Sequence, residues 1–271
     1  MAPHIAASGI ILAQRRPRMT CPQTAVFDRI CIESFVYHAS LMMLFDPTVD
    51  ALSNIWKELN LPEYFLDFEQ GHSTGWESGS STQPILHAPY KFFLLIADVT
   101  KLARISRALN VPETATWTRL QQQLSDWPQV LYTEDDLLAA LYAFSVQTLL
   151  LKSNPEITYR ERNQQARNCL DAGLKHVPFL NFDPHFPSYL LWPLAILGSL
   201  CTRSEEQKIV QNCTDLISTK KPGGQASWVQ RRLKKIWSVT GRTNEADSDK
   251  CRLSGLQALL DGDHEHYHAR Y

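Results

Sequence analysis

The chain has 271 residues, 44% hydrophobic and 20% charged, enough apolar material for one large core or two small ones. With 27 basic and 28 acidic residues its formal charge is -1, which removes any global electrostatic case for nucleic-acid binding. Cys21, Cys31, Cys169, Cys201, Cys213 and Cys251 form no Cys-x-x-Cys pair and no secreted-type framework, so a compact zinc module is excluded and a reducing compartment is expected.

From the N-terminus, Met1 to Arg18 holds a brief apolar run followed, not preceded, by basic residues, the reverse of a secretory signal; residues 1–20 read as a flexible segment. Pro22 to Phe45 has apolar residues at three- and four-residue steps and reads as a long helix, with a shorter one over Val49 to Leu59 before Pro62. Gly71, Ser73, Gly75, Ser78, Gly79, Ser80 and Ser81 mark 70–83 as a loop. Tyr90 to Leu109 is apolar on nearly every side through Phe92 to Ile96 and is expected to be central and buried. Pro112 opens an amphipathic helix to Trp127, and Thr133 to Asp136 is a capping-box pattern ahead of the apolar helix Leu137 to Leu151.

Pro155 to His176 reads as the most polar helix, with Ile157, Ala166, Cys169, Leu170 and Leu174 facing inward. Pro178 to Pro187 turns the chain. Ser204 with Gln207 is a second capping-box pattern, opening a helix to about Ser218; Gly223-Gly224 separates it from Gln225 to Val239. A last helix covers Ser248 to Leu260, within a 246–271 segment that ends in a polar, His-rich tail. No fixed-period repeat is visible and strand-like alternation is scarce, so the expected fold is all-α, an irregular array of about ten helices. The longest apolar run, Tyr189 to Cys201, contains a proline and is too short to span a bilayer, so the protein reads as soluble and intracellular.

That run, Tyr189-Leu-Leu-Trp192-Pro193-Leu194-Ala-Ile-Leu-Gly198, is the most informative stretch, followed by the acidic helix start Arg203-Ser-Glu-Glu206 and closed by Trp237. A proline inside a regular helix costs about 3 kcal/mol, so either the helix begins at Pro193 or it kinks there. Trp192 then either packs at the bend or contacts a ligand. The pattern resembles the fungal-specific regulatory domain that lies C-terminal to the zinc binuclear cluster in fungal transcription factors, best over Thr133 to Trp237, with the helical domain taken as 21–245. In that family the DNA-binding head is a repeated Cys-x2-Cys-x6-Cys; only Cys21 and Cys31 precede Cys169 here, so the resemblance implies the regulatory half alone. It implies a regulator or co-regulator acting in the nucleus, without specific DNA binding of its own, through other transcription factors, co-regulators or a small-molecule effector. Control of a secondary-metabolite gene cluster is a further implication of that resemblance. An upstream exon carrying the missing head is a third possibility.

Lys220-Lys221 followed by Arg231, Arg232, Lys234 and Lys235 has the spacing of a bipartite nuclear-import signal. Val229, Leu233, Ile236 and Trp237 fall on one side of the same helix, so a solvated face alone produces the run and is the preferred reading, compatible with import if that surface is exposed. His264, His266 and His268, beside Asp261 and Asp263, could ligate a transition metal, but alternate histidines in a polar tail read as solvent-facing residues, and no metal is assigned. Gly-x-Ser-x-Gly and His-Glu-x-x-His are absent, and Asp135-Asp136 lacks a downstream acidic partner. His38, His87, His176 and His185 with Cys31 or Cys169 could form an acid–base pair only if the fold joins them. Phe92, Phe93, Tyr142, Phe144, Trp192, Met42 and Met43 could line a metabolite pocket or fill a core. The reading is therefore a non-enzyme with no cofactor and no catalytic residue. The alternative is an enzyme or small-molecule-binding protein on the same helical scaffold, in the cytoplasm instead of the nucleus.

Overall fold

Prolines and reciprocal side-chain caps stand at the start of several of the described helices. In the computed structural model the described residues are 7–12, 22–45, 90–126, 137–180, 187–220, 224–240 and 252–261. They form α1 (Pro22–Met42), α2 (Tyr90–Ala103), α3 (Val111–Asp126), α4 (Leu137–Lys152), α5 (Tyr159–His176), α6 (Leu191–Ser199), α7 (Ser204–Lys220), α8 (Gly224–Thr240) and α9 (Arg252–Asp261). Short 3-10 turns at Val177–Phe179 and Pro187–Leu190 lead into α6, and residues 7–12 are also helical. No strand occurs among the described residues, so the fold is all-α, as the periodicity predicts. The expected helix over 49–59, the Gly/Ser stretch 70–83, the Thr133–Asp136 cap and the histidines after 261 lie outside the described residues.

The chain divides into two compact units, Met1–Ala97 and Asp98–Tyr271. In the first, α1 buries Ile32, Phe35, Val36, Tyr37 and Ala39, and the Tyr37 ring meets Phe93 edge-on with centroids 5.1 Å apart. Ser40 lies in the same buried stretch, where its hydroxyl donates to the Val36 carbonyl at 2.7 Å. In the second, α4 buries residues on most of its circumference, as its apolar composition requires. Against it lies α5, whose inward residues Ala166, Cys169, Leu170 and Leu174 are all buried at helical spacing, with Asn163 among them; Ile157, expected on this face, precedes the helix and is half-buried.

Several helix ends differ from expectation, each for a visible reason. α2 stops at Ala103, not Leu109, because side chains at the end of α4 take its last carbonyls: Ser153 Oγ donates to Leu102 O at 3.3 Å, and Lys152 Nζ donates to Ala103 O and to Ile105 O. Asn110 and Glu113 form a reciprocal box, Glu113 N to Asn110 Oδ1 at 2.9 Å and Asn110 N to Glu113 Oε2 at 2.8 Å, which starts α3 one residue before Pro112. Thr158 and Glu161 form another, so α5 starts at Tyr159 and not at Pro155. The Ser204–Gln207 box is corrected: the helix already begins at Ser204, and Glu206 is the residue whose carboxylate reaches back to the amides of Arg203 and Thr202, at 3.2 and 3.0 Å. Gln207 instead sends its amide to Cys201 O at 3.4 Å.

Candidate functional site

Every residue from Leu190 to Cys201 is buried, so the Trp-Pro stretch is a core element and not a surface loop. Pro193 is the third residue of α6, inside the first turn, where amides have no intrahelical partner and a proline is tolerated. The carbonyl four residues before it, Tyr189 O, is the one that a non-proline amide at 193 could have approached. Tyr142 of α4 supplies a donor there instead, its hydroxyl lying 2.8 Å from Tyr189 O. The same tyrosine ring stacks on Trp192, centroids 5.2 Å apart and planes 11° apart. Trp192 is 1% exposed, and its indole N–H is buried with no hydrogen-bond partner among the described residues. Leu194, the third residue of the motif, is wholly buried.

The other end of α6 is closed by side chains from two helices. Trp237 of α8 donates its indole N–H to Gly198 O at 2.8 Å, and Arg252 of α9 donates to Leu200 O at 2.9 Å. Gly198 leaves room for α7 and α8: a Cβ there would stand 2.8 Å from Leu233 Cδ1 and 3.0 Å from Val210 Cγ1. Gly255 of α9 sits closer still, since a Cβ would meet Ser199 O at 2.0 Å. Beside this contact Arg252, fully buried, forks onto Glu206 with both nitrogen–oxygen distances at 3.0 Å. Burial pushes the Glu206 carboxyl up, but Arg252 and the amides of Arg203 and Thr202 outweigh it and hold the group below its ordinary value. Glu206 belongs to the acidic helix start of the sequence pattern, but nothing in the sequence points to Arg252 as its partner.

The sequence profile of the fungal specific transcription factor domain matches residues 29–253. The chain belongs to this family. No curated protein and no solved structure matches it. Membership makes transcriptional regulation the broad role of the fungal transcription factor domain described above, and its match takes in the whole Trp-Pro helix, the Glu206 turn and the first two residues of α9.

Within this domain the basic run of α8 divides in two. Val229, Leu233 and Ile236 are buried and Trp237 is half-buried, while Arg231, Lys234 and Lys235 are exposed. Arg232 departs from the expected wet face: it turns inward and donates to Ala258 O of α9. Lys220 is exposed at the end of α7, and Lys221 lies outside the described residues.

Two open hollows are present in the second unit of the domain. One, of about 280 Å³, lies between the end of α2 and the start of α3, lined by Asp98, Lys101, Ile105, Glu113 and Arg119, with Arg119 and Asp98 paired at 3.7 Å. The other, of about 290 Å³, is bordered by Phe144, Gln147, Gln165, Asn168 and Cys169. Among the described residues no three His, Cys, Asp or Glu side chains gather to hold a metal, and no helix is long and apolar enough to cross a membrane. Burial pushes the Cys169 thiol up to about 11 and that of Cys213 up to about 12, so neither is a ready nucleophile. His176 stacks on Phe144 with centroids 6.0 Å apart, and His38 packs edge-on against Tyr37.

Proposed function

We propose that this domain serves a transcriptional regulator or co-regulator that leaves base recognition to another protein and works in the nucleus through partner transcription factors, co-regulators or a small-molecule effector. One observation carries the reading: the family match runs over residues 29–253, from within α1 to the first two residues of α9. The near-neutral net charge agrees with a protein that does not bind nucleic acid through its general field. Control of a secondary-metabolite gene cluster is the finer form of the same proposal. The exposed Arg231, Lys234 and Lys235, with Lys220 and Lys221, are the residues proposed to carry nuclear import.

The test is to fuse the chain to a heterologous DNA-binding module and read a reporter in a fungal host. A change in reporter output that depends on the fused chain is expected. Silence in that assay, together with turnover of a pathway intermediate by the purified protein, overturns the regulator reading. Tight sequence-specific binding of the isolated chain to a promoter fragment at physiological salt overturns the division of labour.

A further inference from the structure

α9 and the α6–α7 turn share one carboxylate. Glu206 accepts from the amides of Thr202 and Arg203, which immediately precede α7, and from both terminal nitrogens of Arg252, which starts α9. Arg252 in turn reaches Leu200 O, and Gly255 lies against Ser199 O, so α9 also closes the end of the Trp-Pro helix. Further along, Asn163 of α5 accepts from Leu253 N at 3.1 Å, Arg232 of α8 donates to Ala258 O, and Leu256, Leu259 and Leu260 are buried. A ten-residue helix has little stability of its own, so its order comes from this seat.

We propose that α9 is a conformational lock: its seating holds the Glu206 turn and the end of the Trp-Pro helix in one arrangement, and the turn in turn holds α9. A buried charge pair acts in this way because either member left alone is a desolvated charge, so the two elements it joins order together or loosen together. The coupling is reciprocal, since a contact that stabilises one element when the other is seated must do the same in reverse. Whatever displaces α9, a partner helix or a cleavage within the chain, is then felt at the helix that carries the family motif.

The experiment is amide hydrogen exchange on the full-length protein, comparing wild type with Arg252→Lys, Glu206→Gln and Leu260→Ala. Arg252→Lys keeps the charge and loses the two-pronged geometry. Leu260→Ala loosens α9 at its far end without touching the pair. In each variant the amides of Thr202 and Arg203 and those of Leu256 to Leu260 are expected to exchange on the order of tenfold faster together, with Leu149 to Leu151 of α4 unchanged. If Leu260→Ala speeds α9 alone and leaves Thr202 and Arg203 at the wild-type rate, there is no lock. Equal acceleration in α4 means that the pair merely contributes to global stability, and the proposal fails.

Discussion

The phenol ring of Tyr142 lies flat on the indole of Trp192 while its hydroxyl serves the carbonyl of Tyr189, so one side chain answers both the tryptophan and the proline of the Trp-Pro pair. The stack contributes about 1 kcal/mol beyond burial, and the hydroxyl about as much again. Tyr142→Phe is expected to lower unfolding stability by about 1–2 kcal/mol, and Trp192→Ala by about 3–5 kcal/mol through the cavity it opens. Pro193→Ala should change stability by less than about 1 kcal/mol, because a first-turn proline disturbs no interior helix bond. Urea denaturation of the three variants gives the order; a large gain from Pro193→Ala would mean that the helix is strained at that point.

Two glycines differ in what blocks a side chain. At Gly198 the nearest atoms are the ends of Leu233 and Val210, which can shift, whereas at Gly255 the obstacle is the backbone carbonyl of Ser199. Gly198→Ala is expected to cost about 1–2 kcal/mol and Gly255→Ala about 3 kcal/mol or more. Thermal melts of the two single variants, read side by side, check the ranking.

Acid should find Glu206. Its carboxyl titrates lower in the folded chain than in the unfolded one, so the stability it contributes is present above the ordinary carboxylate value and is lost as pH falls through the lower folded value. Glu206→Gln is expected to show a shallower loss of stability below about pH 4.5 than wild type. Denaturation midpoints from pH 3 to pH 7 for both proteins measure the difference in slope.

Alkali should find Lys152, through the opposite sign. Burial lowers its pKa from the ordinary 10.5 to about 8, with Asp261 opposing and Arg162 adding to the shift. Between those two values the unfolded chain binds more protons than the folded one, so this residue makes stability rise with pH across that window. Lys152→Met should remove the rise while losing the bonds to Ala103 O and Ile105 O. Comparing the two proteins from pH 7.5 to pH 10.5 isolates this residue from other groups that titrate there.

The basic run on α8 should separate into two phenotypes. Replacing Arg231, Lys234 and Lys235 by Glu touches exposed side chains and should leave the melting temperature within a few degrees while a fluorescent fusion leaves the nucleus. Arg232→Ala instead removes the bond to Ala258 O and should lower stability by about 1–2 kcal/mol with import intact. Nuclear retention of the triple variant would return the run to a plain solvated face.

Local chemistry was readable in the sequence and long-range pairing was not. Pro22 marks the start of α1, and the burial of Val229, Leu233 and Ile236 follows from spacing alone, because a helix presents one stripe to its neighbours. The end of α2 was missed by six residues because Lys152 and Ser153, far along the chain, take its carbonyls; within its own segment Ile105 and Leu109 continue the apolar pattern. The cap at α7 is displaced by one position, since Glu206 and Gln207 are both competent at a helix start, and only the Arg252 fork decides between them. Arg232 looked like its basic neighbours until Ala258 was placed beside it. Nothing in a window of ten residues around Glu206 or Arg252 signals that the two will meet.

The contact of Gly255 with Ser199 O also fixes the register of α9. A slide of α9 by one position would bring Ser254 or Leu256 to the place where only a hydrogen fits, and would carry Arg252 off its carboxylate in the same movement. This ten-residue helix therefore has a single way of lying down, set by the smallest side chain in it and the largest charged one together.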